Sequence, residues 1–469
     1  MDSAPIRPAS SRSSWSAILA GLLVALATIA LVALGTPLIA GLAVAGLGVF
    51  IYLACGNVYE KSVLLTVVAA CLLPHETFRR IIKPEEVMPL VALLFLALRP
   101  RTSAQPSAMP RLSATELWVF LLIAAALQGA IHGIMVGYPF DHVADEFGLY
   151  LQFAVAIVVI RGKLSERGIR HMIWGLVIAT LLVSVQYLNM FAAHGGLGRA
   201  VSDQQHLLNI AIPLLFAFAL LARNTRERIG ALALVLPMIL ATYVTQTRAI
   251  WLYVPFSVAL LAVLYVVHRH LRSRDLVLAG ALSATAILVI AGYILLTKGA
   301  SAGHQAIAAR AGTLKELSVD LSLAVRIESG FQALKRALSA PLFGCGLGDH
   351  FRPNLVYLKS ESYLLDFSYM QVFWKLGVLG LAPLIALYAV FMKRVWFVYR
   401  RTDDLFQRRV AIGVFVSFVA LLMIGFESGI LINFRFNLVW AVLMGVFELW
   451  KQRIEKRLPA GRDTQVGAH

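Results

Sequence analysis

Long apolar runs recur along this chain and constrain its fold more than any other feature. They begin near Ser16 and continue to Trp450, and each ends at glycine, proline or a basic cluster. Each run is roughly 15–22 residues long, about the length of a helix that crosses the hydrocarbon of a bilayer. Membrane barrel strands alternate in polarity, and these runs do not. The sequence therefore predicts an all-α, polytopic transmembrane helix bundle of about 12–14 spans.

Composition agrees with a membrane protein. Apolar residues make up 59% of the 469 positions and charged residues only 14%, with a mean hydropathy of +0.77. A water-soluble domain does not reach this balance. The net charge of +17 would suggest nucleic acid in a soluble protein, but here the basic residues gather in short segments between apolar runs. Such clusters encode membrane orientation, so we expect membrane lipids and no nucleic acid as partners.

The basic segments alternate along the chain in a way that predicts its orientation. With the N-terminus inside, the cytoplasmic segments are 99–114, 161–171, 223–228, 268–275, 393–409 and the tail from 451, all rich in arginine or lysine. The short loops on the opposite side hold few bases, as the positive-inside rule requires. The sequence thus predicts a multi-pass inner-membrane protein.

One long segment, 298–366, falls on the side away from the cytoplasm and is too long for a simple connector. It divides the chain into an N-terminal transmembrane bundle (1–297), this large periplasmic loop (298–366), C-terminal transmembrane helices (367–450) and a cytoplasmic tail (451–469). Apolar residues at helical spacing from Val319 to Ser339 predict an amphipathic helix within the loop. That helix lies on the bilayer surface or caps a cavity.

Four arginines are predicted on the outer side: Arg199, Arg248, Arg326 on the loop helix, and Arg435 in the short loop before the last span. Arginines in short external loops are uncommon because of the positive-inside bias. A guanidinium group binds phosphate oxygens two at a time and stays charged, so a group of arginines suits a diphosphate. The alternative is that each arginine caps a helix or reaches lipid headgroups.

The segment Pro341–Gly348 has glycine at every second position: Gly344, Gly346 and Gly348. Glycines permit tight backbone turns whose N–H groups can face an anion. The alternative is a plain turn that ends the amphipathic helix.

Two residues are candidate general bases on the predicted outer side. Asp366 lies where the chain re-enters the membrane, where dehydration can raise the pKa of a carboxylate. It could equally be the N-cap of the next helix. His350 is the second candidate for proton transfer.

Two charged residues fall inside predicted spans. Lys375 lies roughly 12 Å into the span that begins near Phe367, and Glu427 lies close to the outer end of the next span. Charges at such depth are rare and usually paired. We therefore hypothesise that Lys375 and Glu427 neutralise each other between adjacent helices.

In order and spacing, these residues resemble the O-antigen ligase and polymerase family of bacterial envelope glycosyltransferases. Gly198–Arg199 and Thr247–Arg248–Ala249 are similar to the family's two arginine motifs. Arg326 followed by Pro341–Gly348 is similar to its large-loop motif, and Ser368–Gln371, with Tyr369 and Gln371, resembles its helix entry. Asp366 and Phe367 stand where the family has a His-Asn pair. Because the ligases use that histidine, its absence favours a polymerase or another transferase.

The resemblance implies a metal-independent glycosyltransferase without a cofactor, which uses an undecaprenyl-diphosphate-linked glycan donor at the periplasmic face. As a polymerase in exopolysaccharide or O-antigen (lipopolysaccharide) biosynthesis, it would join oligosaccharide repeats. As a ligase, the alternative, it would transfer the glycan to a lipid A core acceptor. Arg199, Arg248 and Arg326 would stabilise the leaving diphosphate, and Asp366, or His350 behind it, would act as base. A lipid-linked sugar flippase is less favoured, because few polar groups mark a transport route.

Overall fold

The computed structural model describes residues 112–162, 164–193, 203–245, 248–267, 321–351, 365, 367–426 and 434–457. Within these ranges the chain forms α-helices, one 3-10 turn (Asp203–Leu207) and no strand. The helices are α1 (Ala114–Val136), α2 (Phe140–Leu151), α3 (Ala154–Gly162), α4 (Glu166–Ala193), α5 (Leu208–Leu220), α6 (Thr225–Val244), α7 (Arg248–Val267), α8 (Leu321–Ser339), α9 (Ser368–Arg401), α10 (Leu405–Ile424) and α11 (Phe434–Arg457).

Six of the described helical segments are long and apolar enough to cross a membrane. They are α1, the α2–α3 segment Phe140–Gly162, Glu166–Phe191 of α4, α6, α9 and α10, while Gln205–Leu220 and Tyr253–Leu264 are shorter apolar helices. The predicted all-α, polytopic membrane class is therefore confirmed. The total of about 12–14 spans also involves residues outside the described ranges, and it stays a prediction.

The ends of α1 show how local sequence sets the helix boundaries. The Ser113 hydroxyl accepts a hydrogen bond from the Glu116 N–H (3.3 Å), and the Glu116 carboxylate accepts one from the Ser113 N–H (2.8 Å). This reciprocal capping box satisfies two N–H groups that lack a helical partner. At the other end, Gly137 has a φ of 91° and terminates the helix.

Aromatic side chains hold α9, α10 and α11 together in the apolar interior. The ring of Phe418 on α10 lies 4.9 Å from Phe391 on α9 and 4.8 Å from Trp440 on α11, between ring centroids. Phe391 also meets Phe447 of α11 edge to face at 5.9 Å. Such edge-to-face pairs add to the stabilisation from apolar burial, so these three helices form a rigid frame.

The two ends of the bundle differ in chemistry. At one end, which we call the arginine-rich end, arginines pair with carboxylates of neighbouring helices. The pairs are Arg161–Glu116, Arg170–Asp404 (2.5 Å), Arg394–Glu448 (2.9 Å), Arg409–Glu227 (2.9 Å) and Arg453–Glu166 (3.0 Å). These arginines belong to, or border, the segments that the sequence assigns to the cytoplasm. The helices run antiparallel, so α2, α5, α7, α9 and α11 all begin at the opposite end, which we call the loop end.

Helix α8 confirms the helix predicted for Val319 to Ser339. Its small residues Ala333 and Ala337 are fully buried and form a cluster with Trp374 of α9. Its larger apolar side chains, Phe331 and Leu338, are 66% and 63% exposed. Helix α8 therefore packs on α9 through its small-residue face.

Candidate functional site

A kink in α9 gives the glycine-rich segment its place at the loop end. Gly377, inside the helix, has a φ of 63° and a ψ of −160°, which breaks the run of helical hydrogen bonds. The Val378 N–H donates instead to the carbonyl of Pro341 (2.9 Å), and the Leu379 N–H donates to that of Leu342 (3.2 Å). The segment thus supplies the partners that the kinked helix lacks.

The N–H groups from Gly344 to Gly348 are all used within the protein. The Gly344 N–H donates to the Ala340 carbonyl (2.8 Å). Cys345 and Gly346 donate to the carbonyls of Trp374 (2.9 Å) and Lys375 (3.1 Å), and Leu347 donates to Gly129 of α1 (2.9 Å). Gly348 donates to the Glu146 carboxylate (2.7 Å). The prediction that these amides face a bound anion is therefore wrong, because helix carbonyls and the protein's own Glu146 occupy them.

Close backbone approach explains the glycine at position 344. Gly344 has a φ of +73°, and a Cβ atom there would lie 2.4 Å from the carbonyl carbon of Lys375. Real Cβ atoms do not approach backbone this closely, and a left-handed φ disfavours other residues. Gly346 and Gly348 likewise have positive φ angles of 91° and 83°. The spacing read from the sequence thus reflects tight docking on α9 and α1.

Lys375 is fully buried, and its partner differs from the one predicted. Its ammonium group lies 2.6 Å from the Glu146 carboxylate of α2 and also donates to the Asp349 backbone carbonyl. It sits 4.2 Å from the centroid of the Trp374 ring. The hypothesis of a Lys375–Glu427 pair is corrected to a Lys375–Glu146 pair; Glu427 lies outside the described residues.

The Asp349 carboxylate is buried next to this pair and is held by side-chain donors. It accepts one hydrogen bond from Arg336 of α8 (2.5 Å) and one from the Trp374 indole (2.7 Å). We call Glu146, Arg336, Asp349, Trp374 and Lys375 the Asp349 network. Its two positive and two negative groups balance, so the network does not by itself provide a cationic site for a phosphate.

His350 follows the network directly and is half-buried among aromatic rings. Its ring lies 6.1 Å from Tyr138 and 6.3 Å from His142, between centroids, and its Nδ1 lies 3.2 Å from the Gly348 carbonyl oxygen. Burial, and then the negative charge of Asp349, raises the pKa of Tyr138 to about 12. The Tyr138 hydroxyl therefore stays protonated at neutral pH, and the other two ring members of this group are the imidazoles of His142 and His350.

Several predicted site residues are placed only in part. Arg248 is the first residue of α7, at the loop end, and its side chain is outside the described residues. Arg199 and Asp366 lie outside them altogether. The N-cap position of α9 is held by Phe367, which makes no side-chain capping bond. Arg326 is half-buried on α8.

Tyr369 and Gln371, the predicted helix-entry residues, have structural contacts. The Tyr369 hydroxyl donates to the carbonyl of Leu422 (3.1 Å) and ties α9 to α10. The Gln371 side-chain oxygen accepts a hydrogen bond from the Leu365 N–H (3.1 Å). Both contacts fix the entry of the loop into α9.

Cys345 offers a pH-dependent probe of this site. Burial, and then the charge of Asp349, raises the pKa of its thiol. In a Cys55→Ser/Cys71→Ser protein, we expect Cys345 to react with a maleimide more slowly when the protein is folded than when it is unfolded. The labelling rate of the folded protein should keep rising above about pH 8.5, where an ordinary thiol is half ionised. The folded state is stabilised because it favours the protonated thiol. This contribution to the free energy of unfolding is fully present below the thiol pKa of the unfolded protein and is lost as pH rises through the thiol pKa of the folded protein. Equal pH midpoints for folded and unfolded protein would contradict this.

The chain was compared with protein families and with curated proteins. No protein-family model matches the chain, and no curated protein matches it either. The family resemblance read from the sequence motifs therefore stays a prediction.

Proposed function

We propose that this protein is a polymerase of the membrane glycosyltransferase type, which joins undecaprenyl-diphosphate-linked oligosaccharide repeats at the periplasmic face of a bacterial inner membrane. The observation that supports the proposal is that two of the predicted motifs lie at the same end of the bundle. The glycine-rich segment docks at the loop end, and α7 begins there with Arg248.

The orientation in this proposal rests on the contrast between the two ends. Five arginines are paired with carboxylates at the arginine-rich end. By the positive-inside rule, an end with such a concentration of basic residues faces the cytoplasm. The loop end then faces the periplasm, where a lipid-linked repeat unit would be used.

The chemistry assigns one step to each group. An acceptor hydroxyl forms a bond to the anomeric carbon while the bond from that carbon to the diphosphate oxygen breaks, and the electron pair leaves with the diphosphate. Arg199 and Arg248 stabilise the charge that develops on that leaving group. His350 or Asp366 takes the proton of the hydroxyl on the opposite face of the sugar, as a base does in inverting glycosidases.

The proposal is tested by replacing Arg248 in a strain whose chromosomal copy is deleted. We expect Arg248→Ala to lower glycan elongation by about a hundredfold or more, because a donor to the leaving group is lost. The matched control is Arg170→Ala, which removes an arginine at the other end that pairs with Asp404. It should retain elongation at equal protein level.

The deletion strain separates the remaining alternatives. Loss of long chains with single repeats kept on the lipid core supports the polymerase. Loss of all glycan from the core indicates a ligase instead. Long chains retained by Arg248→Ala at normal protein level would overturn the assigned role of the arginine.

A further inference from the structure

Side chains from three helices converge on the two residues that precede His350. Glu146 of α2 accepts from the Gly348 N–H, and Lys375 of α9 donates to the Asp349 carbonyl. The Asp349 carboxylate is held by Arg336 of α8 and by the Trp374 indole of α9. The backbone at Gly348 and Asp349 is thus fixed from three directions, immediately before the candidate base.

Stability alone is a poor explanation for this arrangement. Lys375, Glu146 and Asp349 are 0%, 1% and 2% exposed. Removing paired charges from water costs nearly as much as their attraction returns, so an apolar pair of similar volume is often as stable. The contacts of the pair with the loop backbone, by contrast, select one position of the glycine-rich segment, which apolar side chains cannot do.

We infer that Glu146, Lys375 and Asp349 are positioning residues, which hold the glycine-rich segment docked on the helix bundle and thereby place His350 beside Tyr138 and His142. The part of this inference that concerns His350 rests on the proposed function. The docking itself is independent of any reaction.

Cys345 reports the docked state directly. Its N–H donates to the Trp374 carbonyl (2.9 Å), and its sulfur lies 3.4 Å from the Arg336 carbonyl oxygen. When the segment leaves α9, the bond to Trp374 breaks and the half-buried thiol reaches solvent. The rate of maleimide labelling therefore measures how often the segment undocks.

The experiment compares three full-length proteins in a Cys55→Ser/Cys71→Ser background, purified in detergent. In Lys375→Met/Glu146→Gln both buried charges are removed together, so no unpaired charge remains and the melting temperature should stay close to that of the parent. The donor to the Asp349 carbonyl is nevertheless missing. We expect Cys345 to label about tenfold faster, since a hydrogen bond from a charged group is lost.

The matched control is Glu448→Gln, which alters a carboxylate of equal burial at the arginine-rich end, where it pairs with Arg394 (2.9 Å) and Thr115 (2.8 Å). It should leave the Cys345 labelling rate at the parental value, whatever it does to the melting temperature. If the Lys375–Glu146 pair is purely structural, the double variant should have both the parental melting temperature and the parental labelling rate. That result overturns the inference.

Glycan elongation by the double variant tests the link to His350. Elongation reduced about tenfold or more, together with fast labelling, supports positioning. Fast labelling with parental elongation overturns the link to the reaction. If the proposed function is wrong, the Arg248→Ala variant retains parental glycan elongation. The difference in Cys345 labelling is then still observed.

Discussion

Replacing Gly344 by alanine is expected to undock the glycine-rich segment and to destabilise the protein by about 2–5 kcal/mol. The new Cβ atom would lie 2.4 Å from both the carbonyl carbon and the carbonyl oxygen of Lys375, and 2.5 Å from the Leu376 nitrogen. These atoms are helix backbone, so they cannot move aside as a flexible side chain can. Thermal unfolding in detergent gives the loss of stability, and Cys345 labelling gives the undocking.

Gly137→Ala is the matched control for this variant. Gly137 also has a left-handed φ, of +91°, but nothing lies within 4 Å of the position of its Cβ. Alanine there carries the backbone strain alone, about 1–2 kcal/mol. The difference between the two variants isolates the contact between the segment and α9. Equal melting temperatures and equal labelling rates would show that the segment does not dock as described.

The single variant Lys375→Met should lower the free energy of unfolding by about 3–5 kcal/mol relative to the parent. It removes the ammonium group 2.6 Å from Glu146 and leaves that carboxylate almost fully buried. An unpaired buried charge is costly, whereas removing both charges together is not. The measurement is the melting temperature of Lys375→Met beside that of Lys375→Met/Glu146→Gln.

Lys451→Met provides the comparison for an ion pair in solvent. Lys451 pairs with Glu455 one helical turn away at 3.0 Å, and the Glu455 side chain is 46% exposed. Water screens such a pair, and its loss costs only about 0.3–0.5 kcal/mol. If Lys375→Met melts like Lys451→Met, the Lys375–Glu146 contact contributes nothing to the fold.

The sequence predicts local features of this protein well. Apolar runs identify the spans, and helical spacing finds α8 to within two residues of its observed start at Leu321. The alternating glycines mark a segment with unusual backbone requirements. These predictions succeed because each depends on neighbouring residues, whose preferences act over one or two helical turns.

The network around Lys375 depends on tertiary structure and was not predictable in full. Glu146 reads in the sequence as one acid of a short external loop, yet the structure places it in α2, facing α9. The sequence does indicate that Lys375 has a carboxylate partner, because charges inside a membrane are usually paired. Which carboxylate it is depends on which helices are neighbours. Asp349 and Arg336 were missed for the same reason, since their roles arise only when the segment docks.

The kink at Gly377 has a consequence for depth in the membrane. Between the kink and Lys393, where the segment assigned to the cytoplasm begins, α9 has only the residues 378–392, about 22 Å at about 1.5 Å per residue. Since the hydrocarbon layer is about 30 Å thick, this part alone does not cross it, and the turns of α9 before the kink complete the span. The kink then lies within the hydrocarbon layer, where the backbone N–H groups of Val378 and Leu379 have no water to bond to. The carbonyls of Pro341 and Leu342 supply those partners, so the docked segment completes the hydrogen bonding of a helix inside the bilayer.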